Sequence, residues 1–372
     1  MDESSLVINL SNGNLTITGN VDSQRTLQLY GSDEISVASL MTASFSSTYI
    51  NSDVILTKIG DGTLSILPST QSYIPVLNVS RGTFIGNTLN LANTPITVSS
   101  GATVEFYQVS ESTFIGAISG AGYVSITGTA PLTFSPTSSS YTGGTLVSGP
   151  LIINQDVLGA FSAPLFMENG GSLTTLSNVS MSHYTTITGD VTFSQNPDTI
   201  LQMGGSFAGT GTLSKYGTGA LVLSGNSPSY TGKIYVNEGA LVVNGNFRNS
   251  GDPTVAQGTI LAGTGTVGDT DVFGTIKGGS PSQTGGSPIG TLTINGPLIL
   301  ENGSNFGTVI SPSGHSLVTA SGLVTIDHNT TLFVGLVPGS YSPSSDLVIL
   351  SGSNITGTFA QVSSTGSLAS YF

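Results

Sequence analysis

Hydrophobic and polar positions alternate over short runs throughout the chain. Runs such as LTIT, YVSIT, TLTIN and DLVIL are rich in Val, Ile, Thr and Leu, and each is bounded by Gly, Asn, Ser or Pro. A period of two with these boundary residues is typical of half-buried β-strands joined by turns. No stretch keeps the apolar spacing of three and four residues that an amphipathic helix of ordinary length requires. The pattern therefore predicts an all-β protein.

One longer pattern occurs three times, in residues 56–87, 118–154 and 207–244. The residues that align between copies include Lys58 with Lys215, Gly60 with Gly217, Tyr73 and Tyr141 with Tyr230, Gly120 with Gly209, and Gly122 with Gly211. Self-similarity over tens of residues is typical of stacked supersecondary units.

The even composition of the chain favours a parallel solenoid over a series of sandwich domains. Sandwiches built from 372 residues would need linkers between domains, yet Gly, Ser and Thr are spread evenly and no charge run or proline block interrupts them. In a solenoid each coil lays its strands on those of the next coil, and alternate side chains fill a continuous core. The sequence therefore predicts a β-solenoid.

The stretch GTGTLSKYGTGALVLSGNSPSYTGKIYVNEGALVVNG, from Gly209 to Gly245, resembles the passenger-associated repeat of bacterial autotransporters. That repeat has a Leu-Lys-Gly-x-Gly-x-Leu core, then Ser-Gly-Asn, Tyr-Thr-Gly and a closing Gly-x-Leu. The tail, with IGTLTINGPLILENGSNF and YSPSSDLVILSGSNITGTFAQV, resembles the last coils of such passengers. The resemblance implies a right-handed parallel β-helix that leaves a Gram-negative cell by type V secretion. It also implies a location at the cell surface or outer membrane, or release as a secreted protein.

On this resemblance we expect two regions. Residues 1–275 would form the β-helix passenger with the three repeat copies, and residues 276–372 would form autochaperone-like C-terminal coils that precede a membrane β-barrel. The chain begins with the acidic Met1-Asp2-Glu3 rather than a signal peptide, and no series of alternating barrel strands occurs before Phe372. We therefore expect an excised passenger, with Met1 added for expression and its partner barrel absent. A membrane-spanning helix needs a run of about 18 apolar residues. The sequence contains no such run.

The charge balance limits the partners. Only 7% of residues are charged and the formal net charge is −13, which disfavours nucleic acid and anionic membranes as direct partners. The chain contains no cysteine, which agrees with passage through the periplasm in an unfolded state, where thiols would cross-link.

The stretch GNSPSYTGK, from Gly225 to Lys233, ends like a nucleotide-binding phosphate loop. Six residues separate its glycines where four are required, and Ile234 stands where Ser or Thr should hold magnesium. The other copies carry Val76 and Gly144 in place of Lys233. We therefore expect a turn between strands and no nucleotide or other cofactor.

Three histidines are the first candidates for catalysis: His183, His315 and His328. His315 precedes Ser316, but neighbouring residues on a strand point to opposite faces, so the two cannot form a nucleophile with its base. The chain has neither a Gly-Asp-Ser-Gly stretch nor a Gly-x-Ser-x-Gly elbow. We expect ordinary hydrogen-bonded or solvated histidines and no catalytic residue.

Asp269 and Asp271 are the candidate metal ligands. They lie two apart in GDTDV and would share a strand face, as calcium ligands in a β-helix polysaccharide lyase do. Such a lyase also needs basic residues for its acidic sugar, and Lys and Arg together number 7. A solvated turn without metal is the interpretation we favour over a calcium site.

The residues that recur between copies have structural interpretations. For Tyr73, Tyr141 and Tyr230 we expect a ring packed over a coil corner with its hydroxyl in water, in preference to a row that stacks on glycans. For Lys58 and Lys215 we expect solvated charges that discourage edge pairing with other molecules.

The sequence therefore predicts a non-enzymatic adhesin or self-associating surface protein on a β-helix scaffold. Its partners would be a host-cell surface, glycan or matrix protein, or another copy of itself. Two alternatives stay open: a stalk for a missing distal effector module, and a β-helix enzyme or toxin. Binding residues are unknown, and we expect specificity to lie in residues 156–200 and 246–290.

Overall fold

The computed structural model describes residues 7–365, except 282, 283, 285 and 342–345. These residues form a parallel β-solenoid of about 13 turns with almost no helix. The prediction of an all-β parallel solenoid is confirmed. The chain divides into two compact units, residues 1–173 and 174–372. This division does not test the predicted change of role after residue 275, which stays a prediction, as do the repeat boundaries.

Unit 1 consists of short strands and one helical turn. In chain order they are β1 (Val7–Leu10), β2 (Asn14–Ile17), β3 (Val21–Ser23), β4 (Thr26–Leu29), β5 (Ser32–Val37), β6 (Thr42–Phe45), β7 (Thr48–Ile50), β8 (Ile55–Ile59), β9 (Thr63–Ile66), β10 (Val76–Val79), β11 (Thr83–Gly86), α1 (Thr88–Leu91), β12 (Ile96–Val98), β13 (Thr103–Gln108), β14 (Ser112–Phe114), β15 (Ile118–Gly120), β16 (Tyr123–Gly128), β17 (Leu132–Phe134), β18 (Gly144–Val147), β19 (Pro150–Ile153) and β20 (Leu165–Met167). The strand β21 (Ser172–Thr175) contains the division between the units.

Unit 2 continues with further strands. They are β22 (Val179–Met181), β23 (Thr185–Ile187), β24 (Val191–Gln195), β25 (Ile200–Met203), β26 (Phe207–Gly209), β27 (Leu213–Tyr216), β28 (Ala220–Leu223), β29 (Ser229–Tyr230), β30 (Lys233–Val236), β31 (Ala240–Val243), β32 (Asn246–Phe247), β33 (Gly251–Val255), β34 (Ile260–Ala262), β35 (Thr266–Val267), β36 (Thr270–Val272), β37 (Thr275–Lys277), β38 (Thr291–Ile294), β39 (Leu298–Leu300), β40 (Asn305–Ser311), β41 (Gly314–His315), β42 (Leu317–Ala320), β43 (Leu323–Ile326), β44 (Thr331–Leu336), β45 (Leu350–Ser351), β46 (Asn354–Thr356) and β47 (Gln361–Thr365).

Strands one coil apart pair in parallel and keep like residues in register. In unit 1, for example, β13 and β16 place Val104 on Val124 and Phe106 on Ile126. The exception among the described pairs is β41, which folds back antiparallel on β40. Because inward positions stack on inward positions, the alternation in the sequence becomes a continuous apolar core.

The core contains stacked aromatic rings as well as aliphatic layers. In unit 1 the rings of Phe106, Phe114 and Phe134 form one cluster, with centroids of Phe106 and Phe114 4.8 Å apart. In unit 2, Phe207 and Phe247 lie 5.6 Å apart by ring centroid. Edge-to-face and offset contacts at these separations stabilise the core beyond the burial of the rings alone.

One sheet of unit 2 buries apolar side chains on both of its faces. It contains β22, β25, β28, β31, β34, β37, β40, β44 and β47, and we call it the groove sheet. Its inner face packs on the core through residues such as Leu221 and Leu241, which are fully buried. On its outer face Val222 and Val242 are buried as well.

Candidate functional site

A groove with a volume of about 470 Å³ lies on the outer face of the groove sheet. We call it the outer groove. It is lined by Asn178, Asp198, Thr199, Ile200, Thr218, Gly219, Ala220, Gly239, Ala240, Gly258, Ile260, Pro281 and Thr284.

The floor of the outer groove consists of side chains that point away from the core. Ile200, Ala220, Ala240 and Ile260 are in register on four successive strands, and all four are half-buried. Because the two alanines carry only a methyl group, the floor is recessed between the two isoleucines. The stacking of small residues over large ones thus gives the groove its shape.

Beside this floor the outer face of the sheet is apolar and covered. Val222, Val242 and Ala262 lie two residues further along the same strands and form a buried cluster, against which Ile200 and Ile260 pack. In a strand that faces water on one side, apolar and polar residues alternate. In a strand that is covered on both sides, the residues form a continuous apolar run. The local runs ALVL and ALVV are of the second kind.

The connection between β37 and β38 returns over this region. Gly279 and Gly263 exchange backbone hydrogen bonds of 2.8 and 3.0 Å. The hydroxyl of Ser280 donates to the side-chain oxygen of Asn244 at 2.8 Å. Pro281 and Thr284 of the same connection line the groove, so these two residues form part of one wall.

The two segments in which we expected specificity both contribute to the outer groove. Asn178, Asp198, Thr199 and Ile200 come from residues 156–200, and Gly258, Ile260, Pro281 and Thr284 come from residues 246–290. The sequence did not reveal the groove itself. The signal that could have indicated it is the loss of alternation in ALVL and ALVV, which marks a sheet covered on both faces.

The chemistry of the outer groove suits recognition. Among its described lining residues, Asp198 is the one ionisable side chain. The lining instead offers threonine hydroxyls, one amide and apolar surface, which can hold a neutral or weakly polar ligand.

The prediction that Lys58 is a solvated edge charge is wrong. Its side chain is fully buried, and its ammonium group donates to the carbonyl oxygens of Ile59, Gly60 and Arg81 at 2.9, 2.7 and 3.0 Å. Burial lowers the pKa of Lys58 to about 8, while the carboxylate of Asp61 partly offsets this effect. The amine therefore fills a site at the corner of the coil, where otherwise unpaired carbonyl oxygens converge.

The prediction for Lys215 is wrong for the same reason. Its ammonium group donates to the carbonyl oxygens of Tyr216, Gly217 and Glu238 at 2.7, 2.6 and 3.1 Å. The side chain is fully buried, and burial lowers its pKa to about 8. Lys58 and Lys215, which align between repeat copies, thus make equivalent contacts.

The glycines of this corner are required by geometry. Gly60 and Gly217 have φ angles of 74° and 72°. A Cβ atom at Gly217 would lie 2.2 Å from the carbonyl oxygen of Gln195. Glycine is the residue that combines a positive φ with so close a backbone approach.

The prediction for the recurring tyrosines is wrong for two of the three. Tyr141 and Tyr230 are fully buried, so their hydroxyls do not reach water. The Tyr141 hydroxyl lies 2.6 Å from that of Thr145, and the Tyr230 hydroxyl donates to the carbonyl oxygen of Gly211 at 2.9 Å. Burial raises the pKa of both phenols. Tyr73 is exposed, so the three do not form one row.

The structure places the side chains of His315 and Ser316 in different surroundings. The His315 ring nitrogen Nε2 lies 2.9 Å from the carbonyl oxygen of Val348. The hydroxyl of Ser316 is buried and accepts from the backbone N–H of Val309 at 2.8 Å. The two side chains have different neighbours, in line with the opposite faces of adjacent strand residues.

The other two histidines differ in exposure. His183 is buried in unit 2. His328 is exposed, and its Nδ1 lies 2.6 Å from a carboxylate oxygen of Asp327. Hydrogen bonds from His328 lower the pKa of Asp327. Because Asp327 and His328 are adjacent in the chain and exposed, their contact is a local one at the surface.

The candidate calcium ligands lie in a small acidic region. Asp271 is on β36, Asp269 is in the bend before it, and burial together with the charges of Asp252 and Asp269 raises the pKa of Asp271. Across the described ranges no group of three or more His, Cys, Asp or Glu side chains is placed to hold a metal ion. The absence of metal at Asp269 and Asp271 stays a prediction.

The phosphate-loop candidate contains one short strand and reaches the start of the next. Ser229 and Tyr230 form β29, and Lys233 begins β30. A Cβ atom at Gly232 would lie 1.7 Å from the carbonyl oxygen of Gly211. The glycine before Lys233 thus allows close packing between coils, and a strand follows where a phosphate loop has a helix.

Within the part of the chain that the structure describes, no helix has the length and apolar character needed to cross a membrane.

Comparisons with known proteins find similarity over less than a third of the chain. None of the known family models matches it. Over 108 residues, 28% of this chain and 3% of the other, it is 31% identical to the adhesin BmaC autotransporter of Brucella suis biovar 1. Over 109 residues, 29% of this chain and 10% of the other, it is 32% identical to an extracellular serine protease of Serratia marcescens. The chain therefore spans a small part of the length of both relatives.

Proposed function

We propose that this chain belongs to the passenger of an autotransporter of a Gram-negative bacterium and is displayed at the cell surface or secreted. We further propose that it acts as a non-enzymatic adhesin or self-associating surface protein. The parallel β-solenoid supports the first proposal, as does the similarity to part of an autotransporter adhesin.

The observation that carries the adhesive function is the composition of the outer groove. Its floor is apolar and recessed, its rim offers threonine hydroxyls, and Asp198 is its one ionisable side chain among the described lining residues. A partner can gain apolar contact and hydrogen bonds there without any reacting group. Over the whole chain, 7% of residues are charged.

A binding experiment tests the proposal. Fluorescently labelled protein is added to epithelial cells and to cells that display the same chain, and bound label is measured by flow cytometry. We expect saturable binding to one of them. Ala240→Gln should weaken it because the longer side chain fills the recessed floor. Ser214→Gln, which adds the same side chain at a half-exposed outward position on β27, is the matched control.

An enzyme is the second candidate, because one relative is an extracellular serine protease. Incubation of the purified protein with peptide, ester and polyuronate substrates tests this candidate. Turnover that persists through purification to homogeneity would support it and contradict the non-enzymatic proposal. A third candidate, a stalk for a distal module, predicts that the chain binds neither cells nor itself.

A further inference from the structure

Three tyrosines from successive coils of unit 1 lie exposed on its outer surface. Tyr30 follows β4, Tyr49 is on β7 and Tyr73 precedes β10, and these residues are 40%, 53% and 45% exposed. Two of them, Tyr30 and Tyr49, do not belong to the repeating pattern that drew attention to Tyr73 in the sequence.

The strand register brings Tyr30 and Tyr49 together. β4 and β7 pair with Gln28 opposite Tyr49, and Tyr30 lies two residues beyond Gln28 on the same outward side. The ring centroids of Tyr30 and Tyr49 are 5.8 Å apart, with their planes tilted by 43°. Two partly exposed phenol rings thus lie side by side.

Hydrogen bonds place Tyr73 in the next coil at the corresponding position. The hydroxyl of Thr48 donates to that of Ser72 at 3.1 Å, and Ser72 donates to the carbonyl oxygen of Thr48 at 3.2 Å. Because Ser72 hydrogen-bonds to Thr48, the residues that follow them, Tyr73 and Tyr49, lie in adjacent coils one position beyond this contact. Successive coils lie about 4.8 Å apart, a spacing comparable to the length of one sugar ring.

Side-chain amides accompany the rings. The Tyr30 hydroxyl donates to the side-chain oxygen of Gln28 at 2.7 Å, and the side-chain amide of Gln71 donates to the Tyr73 hydroxyl. We call Gln28, Tyr30, Tyr49, Gln71 and Tyr73 the tyrosine patch. Its five side chains are phenols and amides, which offer ring faces together with neutral hydrogen-bond donors and acceptors.

This chemistry matches a neutral glycan. Ring faces pack against the C–H face of a pyranose, and amides and phenols pair with its hydroxyls. Exposed aromatic rings also stack on nucleic acid bases, but a net charge of −13 opposes a polyanion. The same charge opposes sulfated and sialylated sugars. A neutral sugar chain that runs along the solenoid avoids this repulsion and meets one ring per coil.

We propose that the tyrosine patch binds a neutral oligosaccharide, with the sugar rings stacked on Tyr30, Tyr49 and Tyr73. The proposal deepens the proposed adhesive function, on which it rests, by giving a substrate class and a place for it. It assigns glycan recognition to unit 1, whereas the outer groove lies in unit 2.

A glycan array with purified protein tests the proposal, together with calorimetry on the retained oligosaccharide. The array carries neutral, sialylated and sulfated glycans. We expect neutral glycans to be retained and charged ones not. The triple variant Tyr30→Ala, Tyr49→Ala, Tyr73→Ala should bind at least tenfold more weakly. Replacement of the same three residues by Phe, which keeps the rings, should retain most of the affinity.

The matched control is the double variant Tyr184→Ala, Tyr216→Ala. These tyrosines are 50% and 42% exposed in unit 2, and their removal should leave glycan affinity unchanged. Circular dichroism melts establish that all variants fold. The proposal is overturned if no neutral glycan is retained, if the triple Ala variant binds as the wild type does, or if that variant loses self-association but no glycan binding.

The array uses purified protein and does not depend on attachment to cells. Neutral glycan binding by a protein that attaches neither to cells nor to itself would support the patch and contradict the adhesive function. If the protein binds no neutral glycan but attaches to cells, and the triple variant attaches equally well, the adhesive function is supported and the patch is contradicted.

Discussion

The side-chain ammonium of Lys215 donates a hydrogen bond to the carbonyl oxygen of Glu238, which lies 3.1 Å away in the following coil. Lys58 makes the same contact with Arg81 at 3.0 Å. Each amine also bonds two carbonyl oxygens of its own coil. A buried lysine thus joins two coils at a corner where the backbone turns away from the sheet.

The first prediction concerns the substitution Lys215→Met. Methionine fills a similar volume but leaves three part-buried carbonyl oxygens without their donor, so we expect a loss of about 1–3 kcal/mol in the free energy of unfolding. Urea titration monitored by circular dichroism measures it. Lys58→Met should have a similar effect in unit 1. The control Lys233→Met, at an exposed position, should leave the urea midpoint unchanged, and a midpoint for Lys215→Met that matches the wild type contradicts this role of the buried lysine.

The strand pattern predicted the fold but not the location of these lysines. Alternation is a property of each run by itself, so it is visible in the sequence. The site around Lys215 requires carbonyl oxygens from residues that are distant in the chain, and the register that joins them is set by the stacking of coils. From the sequence alone, a lysine beside a Gly-x-Gly turn is therefore interpreted as a surface charge.

The outer groove and the tyrosine patch could not be predicted from the sequence for the same reason. Ala220 and Ala240 lie on one floor because two strands pair in register. Tyr30 and Tyr49 meet because β4 lies beside β7. The repeat pattern identified a tyrosine that is buried, Tyr230, and missed two that are exposed.

The second prediction is a stability maximum in the alkaline range. Burial lowers the pKa of Lys58 and Lys215 to about 8 and that of Lys277 to about 7, from an ordinary value of 10.5. At a pH between the lowered and the ordinary pKa values, the unfolded chain binds more protons than the folded chain. The free energy of unfolding therefore rises with pH over this range. Burial raises the pKa of Tyr141 and Tyr230 above the ordinary 10.0, so stability falls again once the unfolded phenols ionise.

Urea midpoints measured from neutral to strongly alkaline pH check this prediction. We expect the midpoint to increase up to about pH 9–10 and then to fall. Lys277→Met should flatten the rise, because it removes the lysine with the lowest pKa. A midpoint that declines steadily from neutral pH would contradict the assignment.

The third prediction concerns the substitution Tyr230→Phe. It removes a buried hydroxyl that donates to the carbonyl oxygens of Gly211 and Lys233 at 2.9 and 3.0 Å. We expect a loss of about 1–2 kcal/mol in the free energy of unfolding, because the ring packing is kept and the two acceptors lose their donor. Tyr216→Phe, at a residue 42% exposed, is the control. Equal urea midpoints for the two variants would show that the Tyr230 hydroxyl contributes nothing.

The fourth prediction concerns calcium and the acidic region around Asp271. If Asp269 and Asp271 form a solvated turn, neither calcium nor a chelator should shift the melting temperature, since an ion that binds only the fold would raise it by mass action. Asp271→Asn should raise the melting temperature slightly, because it removes a charge that burial and Asp252 disfavour. A calcium-dependent rise that this variant abolishes would support the metal site instead.

The fifth prediction is a gradient of stability along the chain. The stability of a solenoid is close to a sum over coils and their interfaces, so segments can differ. Residues 276–372 have the cleanest apolar runs, including TLTINGPLIL and TLFVGLV, and we expect them to resist unfolding most. Limited proteolysis during a urea titration, with fragments identified by mass spectrometry, measures the order of loss. Survival of the first 200 residues after the tail is digested contradicts the autochaperone-like role.

The central claim is that the outer surface of this solenoid binds a partner without chemical change. Beads coated with the purified protein are mixed with epithelial cells, and attachment, bead clumping and the release of cleaved substrate from the cell surface are measured together. We predict attachment or clumping above that of uncoated beads, without cleavage products. Beads that neither attach nor clump, or that attach only while they release cleavage products, would contradict the claim.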